Sequence, residues 1–288
     1  MSGMTYELRL APTRSAKMSV PLLGELLIAL GLPAGALAEH EERGRQRLSV
    51  YFRSAREAAR WQHRIDAARL DGVGMQLRRL RDADWQDTWK RHVRPFAIAP
   101  GLRIVPAWSA QAKRGPDAQR IILETGLAFG TGKHATTRWM AQTIQSLRGR
   151  FHDVLDVGLG TGILALIAAR CGAARLVGVD IDREAVLVSR RNLQINGVPT
   201  GRLVRGDFGR LRAVGTFDLV VANIGTTELL AMRRRLIDAV RSGKYLAVTG
   251  IGREHVERFR RDFEDRSLRC LKIRVNADWA AFLYQARV

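Results

Sequence analysis

Three closely spaced glycines form the part of the sequence best suited to hold a small ligand. Gly158, Gly160 and a third glycine two residues later follow the apolar run 154–157 and precede a second apolar stretch. This order predicts a strand, a tight turn that approaches a ligand closely, and a helix. A dinucleotide site usually has its third glycine three positions after the second, where this chain has Ile163. The carboxylate of Asp156 also favours an ammonium group over a diphosphate.

Acidic residues follow the next two predicted strands. Asp180 ends the strand 176–179, 22 positions after Gly158, where a carboxylate can accept hydrogen bonds from both ribose hydroxyls. Asp207 follows a third predicted strand and has two interpretations, a contact with the adenine amino group or a turn-forming aspartate. A glycine turn and a ribose carboxylate in this order predict an S-adenosylmethionine-dependent methyltransferase rather than a dehydrogenase.

Asn223 is the residue that we predict to hold the group that accepts the methyl. It ends the apolar run 219–222, at the carboxyl edge where open α/β sheets bind ligands. Its side-chain carbonyl can accept a hydrogen bond from an amine, and the alternative is an asparagine that caps the next helix. His134 is interpreted either as a general base or as a histidine whose hydrogen bond orders its loop.

The elements that must position these residues are those of a doubly wound sheet. Amphipathic helices alternate with unbroken apolar runs, which are typical of buried parallel strands, at 154–157, 176–179, 219–222 and 245–249. Residues 280–285 are expected to form a late antiparallel strand. The fold class predicted for residues 101–288 is therefore α/β and Rossmann-like.

The first 80 residues predict a small α+β domain. Three strand-like segments and two helices alternate there, and the second helix opens with a capping box at Ser54 and Glu57. We expect a ferredoxin-like sheet over residues 1–80 with a role in recognising a partner. Residues 81–100 are predicted to be a connector, in which Trp85 and Trp89 are interpreted as core anchors in preference to substrate-stacking residues.

The composition is that of a globular protein with an excess of arginine. The net charge is +20, and only six of the 48 basic residues are lysines. Because arginine binds phosphate bidentately, we weigh contact with RNA through an arginine-rich surface against a bias toward arginine on solvated helix faces. We expect no membrane span, no metal site and a cytoplasmic location, since the apolar stretches are broken and Cys171 and Cys270 are isolated.

A longer motif precedes the glycine turn. Residues 125–137, Thr-Gly-Leu-Ala-Phe-Gly-Thr-Gly-Lys-His-Ala-Thr-Thr, resemble the signature of the ribosomal protein L11 methyltransferases. The Asn223-Ile224 pair and the closing Asp278-Trp279 are similar to that family as well, and the resemblance extends from about residue 82 to the C-terminus. It implies an enzyme that uses S-adenosylmethionine to methylate lysine ε-amines, and an N-terminal α-amine, of a large-subunit ribosomal protein recognised by the N-terminal domain.

The resemblance also implies roles for single residues. It implies cofactor contacts at Thr137, Gly158, Asp180 and Asn223. Thr137 would contact the methionine carboxylate, and the alternative is a cap of its own helix. Phe129, in the same signature, would either close over the cofactor or anchor the core.

The chain departs from the family pattern directly after Asn223-Ile224, at Gly225-Thr226-Thr227. This stretch is expected to line the acceptor side, so the departure bears on the substrate more than on the cofactor. Two alternatives are therefore kept. One is an RNA methyltransferase on the same fold, although the chain lacks the Asn-Pro-Pro-aromatic motif of that chemistry, and the other is a cofactor-binding assembly factor without catalysis. The sequence makes no prediction of oligomeric state.

Overall fold

The structure is a computed structural model of the 288-residue chain. It describes residues 4–13, 18–30, 32, 37–42, 45–52, 54–68, 70, 72–81, 94–114, 117–124, 132–199, 201–211 and 215–288. The chain divides into two compact units, Met1–Val93 and Arg94–Val288. Most of the predicted connector, with Trp85 and Trp89, lies outside the described residues, and its last part, Phe96–Ala99, is a strand of the second unit.

The first unit has the element order β-α-β-β-α-β. Its elements are β1 (Met4–Pro12), α1 (Val20–Ala29), β2 (Leu37–Glu42), β3 (Arg45–Phe52), α2 (Ala55–Ala67) and β4 (Val73–Arg81). The strands pair antiparallel in the order β2-β3-β1-β4, which is a ferredoxin-like arrangement. The prediction of three strands was incomplete, because the edge strand β2 has apolar residues only at its first two positions and lacks the alternating pattern that marks the other three.

Helix α2 begins as its sequence predicts. Ser54 is the N-cap, and its hydroxyl accepts a hydrogen bond from the Glu57 amide at 3.2 Å. The helix buries Ala58, Trp61 and Ile65 against the apolar residues of β1 and β3. The spacing of these residues places them on one side of the helix, so packing on the sheet stabilises both elements.

The second unit contains a large mixed sheet and a small one. Its strands are β5 (Phe96–Ala99), β6 (Leu102–Pro106), β7 (Arg120–Leu123), β8 (Asp153–Val157), β9 (Arg175–Asp180), β10 (Arg202–Arg205), β11 (Phe217–Asn223), β12 (Val240–Gly252), β13 (Leu268–Val275) and β14 (Trp279–Ala286). The small sheet has the order β5-β6-β7 and the large one the order β10-β9-β8-β11-β12-β14-β13. Strands β8 to β12 are mutually parallel, and β14 is antiparallel to both of its neighbours. The predicted strands are confirmed, whereas β13 and the small sheet were not predicted.

Helices cover both faces of the large sheet. On one face lie α3 (Ala135–Ser146), α4 (Ile163–Arg170) and α5 (Arg183–Ile195), and on the other lie α6 (Thr226–Ala231), α7 (Arg233–Asp238) and α8 (Val256–Phe263). The predicted α/β, Rossmann-like class is confirmed. The strand order reverses between β8 and β11, so the carboxyl ends of these two strands bound the crevice in which such sheets bind ligands. Among the helices of the described residues, none is both long and apolar enough to cross a membrane.

Candidate active site

The predicted ligand turn joins β8 to α4 at the strand-order reversal. Gly158, Gly160 and Gly162 have φ values of +77°, +52° and +76°, a left-handed region that residues with a Cβ disfavour. A Cβ on Gly158 would also lie 2.3 Å from Ile224 Cγ2. Glycine is therefore required at residue 158 by its backbone conformation and by its packing against the strand end that carries Asn223.

Asp180 contacts the turn from the end of β9. Its Oδ2 accepts a hydrogen bond from the Gly160 amide at 2.8 Å, and its Oδ1 accepts one from the Asp182 amide at 2.9 Å. A carboxylate has about four acceptor positions, so each oxygen can still accept a hydrogen bond from a hydroxyl group. The half-buried carboxylate lies against the glycine backbone, and these residues fit the sugar end of S-adenosylmethionine.

Asp156 lies in β8, directly before the turn, and is enclosed by the protein. Its side chain is 1% exposed, and its Oδ2 accepts a hydrogen bond from the Ala165 amide of α4 at 3.1 Å. Burial raises the pKa of Asp156 well above its ordinary value, and the nearby charge of Asp180 raises it further. The structure therefore does not support a direct contact between Asp156 and an ammonium group. The enclosed carboxyl instead links the strand to the start of the helix.

Asp207 follows β10 at the same edge of the sheet. It is the N-cap of a short 3-10 helix, where its Oδ1 accepts from the Gly209 amide at 2.8 Å and its Oδ2 lies 3.3 Å from Arg210 Nε. The Gly206 amide donates to the Asp180 carbonyl at 2.9 Å, so this turn lies beside the predicted ribose carboxylate. Asp207 therefore forms a turn, as one of the two interpretations stated, and its contact with adenine stays a prediction.

Asn223 and Thr137 meet at the sheet edge although 86 positions separate them in sequence. Asn223 ends β11 beside Thr249 of β12, and its Nδ2 lies 3.5 Å from the Thr137 hydroxyl. Neither residue is a helix cap, because His134 caps α3 and Gly225 caps α6. With Nδ2 directed at Thr137, the amide oxygen of Asn223 is the atom that can accept a hydrogen bond from an amine.

The backbone that follows Asn223 is packed between two strand ends. The Ile224 amide donates to the Thr249 carbonyl at 3.2 Å. A Cβ on Gly250, whose φ is +94°, would lie 2.2 Å from the Ile224 carbonyl oxygen, and Gly158 packs on the Ile224 side chain. Sequence reasoning did not predict these contacts, although the Asn223-Ile224 pair was part of the family resemblance. Together they fix the position of Asn223 in the crevice.

His134 and Trp279 form an edge-to-face pair with ring centroids 5.1 Å apart. The Nδ1 atom of His134 lies 2.7 Å from the Thr136 hydroxyl, which is the loop-ordering hydrogen bond considered for this histidine. Burial lowers the pKa of His134, and the Asp278 carboxylate offsets part of that effect. The role of His134 as a general base stays a prediction, and Trp279 was not predicted as a site residue.

The structure brings the predicted site residues together in two adjoining groups. One contains Asn223, Thr137 and Gly158, and the other contains Gly160, Asp180 and Asp207. Phe129 lies outside the described residues. The first group presents an amide oxygen and the second a carboxylate beside a glycine turn, an arrangement able to hold an amine next to a nucleoside-bearing ligand.

The sequence matches a known protein family over most of its length. The family model "Ribosomal protein L11 methyltransferase (PrmA)" matches residues 34–287. The chain belongs to this family. A relative named ribosomal protein L11 methyltransferase from Geobacter metallireducens is 39% identical over 207 residues, which are 72% of this chain and 68% of the relative. A relative of the same name from Pelobacter propionicus is 36% identical over 212 residues, which are also 72% of this chain and 68% of the relative.

A solved structure supports the same relationship. The chain is similar to a ribosomal protein L11 methylase from Lactobacillus delbrueckii subsp. bulgaricus, with a TM-score of 0.60 and 25% identity over 68% of this chain and 100% of that one. Family membership confirms the predicted class of enzyme, a methyltransferase, and its predicted cofactor, S-adenosylmethionine. The roles of single residues stay predictions.

Proposed function

We propose that this protein transfers methyl groups from S-adenosylmethionine to lysine ε-amines, and to an N-terminal α-amine, of ribosomal protein L11. The observation that supports this most directly is the contact of Asn223 with Thr137 at a strand end that also packs on Gly158. With its Nδ2 engaged by Thr137, Asn223 would offer its uncharged amide oxygen to an acceptor amine beside the turn that we expect to bind the methyl donor.

The cofactor would be held by residues of both groups. The Asp180 carboxylate would accept the ribose hydroxyls, and Asp207 would meet the adenine amino group. Thr137 would contact the methionine carboxylate, which the N-terminal end of α4 also favours through its helix dipole. Phe129 would close over the bound cofactor. When bound, S-adenosylmethionine supplies a methyl group on a sulfonium, which is already a strong electrophile.

The protein must then present a neutral amine in line with that methyl group. Deprotonating a lysine with an ordinary pKa of about 10.4 costs roughly 4–5 kcal/mol at pH 7, and a partly desolvated site lowers this cost. The amide oxygen of Asn223 orients the amine through a hydrogen bond without the negative charge that would stabilise its ammonium form. His134 is kept neutral by its lowered pKa, as a proton acceptor must be.

Recognition of the substrate is assigned to residues 1–80, and residues 81–100 would let different amines reach the same site. The small unit carries no predicted catalytic residue, which supports a binding role. The finer partner predictions, contact with RNA through arginine-rich surfaces and a cytoplasmic location, belong to the same proposal because ribosomal proteins are bound to RNA.

A transfer assay separates this function from its alternatives. The full-length protein is incubated with methyl-labelled S-adenosylmethionine and lysate from a strain without the gene, with and without ribonuclease. Label on L11 that withstands ribonuclease supports the proposal. Label that ribonuclease removes would instead indicate an RNA methyltransferase, and cofactor binding without any transfer would indicate an assembly factor.

Two variants test the residue roles in the same assay. Asp180→Ala should abolish cofactor binding in calorimetry, whereas Asn223→Ala should still bind the cofactor and lower kcat about 100-fold, because the amine loses its orientation. Asp182→Ala is the matched control, since this carboxylate caps α5 through the Glu184 amide and should cost only about 1 kcal/mol of stability. Transfer at the normal rate by Asn223→Ala would refute the role given to Asn223.

A further inference from the structure

Two buried asparagines, Asn192 of α5 and Asn196 at the C-cap of that helix, take the place of a neighbouring strand beside β7. Asn192 and Asn196 are 0% and 3% exposed and lie one helical turn apart on the same face. Asn196 accepts from the Ile122 amide at 2.9 Å and donates to its carbonyl at 2.6 Å, and Asn192 does the same with Glu124 at 2.7 and 2.8 Å. Because β7 is the edge strand of the small sheet, these bonds satisfy backbone groups of β7 and of Glu124 directly after it that face no strand among the described residues.

The two asparagines differ in the partner of their remaining N–H group. Asn196 donates it to the Asn192 carbonyl, within α5, at 2.8 Å. Asn192 donates it to the Thr161 carbonyl, in the glycine turn, at 2.9 Å. Asn192 therefore links β7 to the predicted cofactor turn, and Asn196 does not.

Ser189, one turn earlier on α5, holds the adjacent peptide of the turn. Its hydroxyl donates to the Gly160 carbonyl at 2.7 Å, and its side chain is fully buried. A Cβ on Gly162 would lie 3.1 Å from the Ser189 Cβ, so helix and turn are in close contact. Two consecutive carbonyls of the turn, those of residues 160 and 161, thus point at α5.

We propose that Ser189 and Asn192 are positioning residues for the cofactor turn, an inference that rests on the proposed function. In a trans peptide the N–H points opposite to the C=O. By holding the carbonyls of Gly160 and Thr161, the two side chains direct the amides of Thr161 and Gly162 away from α5. The Gly162 amide then closes the turn on the Leu159 carbonyl at 2.8 Å, and the Thr161 amide is set toward the side opposite the helix. The cofactor would meet a backbone already held in its binding orientation.

Ser189→Ala, Asn192→Ala and Asn196→Ala in the full chain test this proposal. Binding of S-adenosylmethionine is measured by calorimetry, and Tm is measured on the same samples. Asn192→Ala and Asn196→Ala should lower Tm to a similar extent, because each loses a pair of bonds to the β7 segment. Only Ser189→Ala and Asn192→Ala should weaken binding, each about fivefold, the loss expected for one hydrogen bond. At saturating cofactor, kcat should stay near the wild-type value.

The control makes the outcomes distinct. If Asn196→Ala weakens binding as much as Asn192→Ala at an equal loss of Tm, the effect is one of general stability and the proposal is wrong. If Ser189→Ala, which removes a single oxygen, binds the cofactor as tightly as the wild type, the proposal is also wrong, even where Asn192→Ala does not fold. A wild-type chain that does not bind S-adenosylmethionine would refute the proposed function itself.

Discussion

Replacing Gly158 by alanine tests the contact between the cofactor turn and the strand end that carries Asn223. The φ of this residue is +77°, and an alanine held in this left-handed conformation is less stable by about 1–2 kcal/mol. Its Cβ would lie 2.3 Å from Ile224 Cγ2, and forcing a carbon into such a contact costs about 1–3 kcal/mol more. We therefore expect Gly158→Ala to lower the free energy of unfolding of the second unit by about 2–5 kcal/mol.

Gly149 provides a matched control, because its φ is also +77° and a Cβ there would have no neighbour within 4 Å. Gly149→Ala should cost only the conformational part, about 1–2 kcal/mol. The assay is urea unfolding, followed by far-UV circular dichroism through the transition of the second unit. In the double variant with Ile224→Ala, which removes Cγ2, the cost of Gly158→Ala should fall by about 1–3 kcal/mol. Equal costs at Gly149 and Gly158, or strict additivity in the double variant, would refute the contact.

Two further predictions concern pH. Burial lowers the pKa of His134 below 6.5, so at mildly acidic pH the unfolded chain binds a proton that the folded chain does not. The free energy of unfolding should therefore fall as the pH drops below about 6.5. In urea unfolding between about pH 5 and 7, His134→Gln should flatten this dependence. Burial raises the pKa of Glu7, but hydrogen bonds from Arg9 and Ser49 outweigh it and leave that pKa below 4.5. The stabilisation by the Glu7 carboxylate is therefore present above about pH 4.5 and is lost as the pH falls through the pKa of the folded state. Glu7→Gln should lower the free energy of unfolding of the first unit at pH 7 and make that free energy depend less steeply on pH in the acid range.

The central strands and the glycine turn could be predicted because each carries its own local signal. The runs 176–179 and 219–222 are unbroken apolar stretches, and 154–157 is interrupted only by the buried Asp156, as expected of strands buried on both faces. Once their order is known, the residues that end them must share one edge of the sheet. The positions of Asp180 and Asn223 therefore followed from chain order alone.

Elements without such a signal were missed. Strand β13 mixes basic residues with apolar ones, of which Leu271, Ile273 and Val275 are exposed, because an edge strand is not buried on both faces. The hydrogen bonds of Asn192 reach Glu124, 68 positions away, and no local pattern predicts such a partner. The site residues were thus predictable as strand ends, whereas the contacts that hold them depend on tertiary packing.

The arginine run 233–235 fits neither explanation of the arginine excess completely, a surface for RNA or arginines on solvated helix faces. Arg233 instead donates to the Phe263 carbonyl at 2.7 Å and pairs with Asp265 at 2.5 Å, and Arg235 donates to the Leu211 carbonyl. Two of the three guanidinium groups therefore link α7 to neighbouring segments.

Arginines also bond to groups within the protein at the sheet edge where the parallel strands begin, opposite to the crevice. Arg241 reaches Asp218, Asp153 and the Thr216 carbonyl with one side chain, and Arg175 shares the Asp153 carboxylate. A planar guanidinium can bond several acceptors at once, which a lysine ammonium does with less directional control. Arginine at this edge is thus explained by its bonds within the protein, without a phosphate partner.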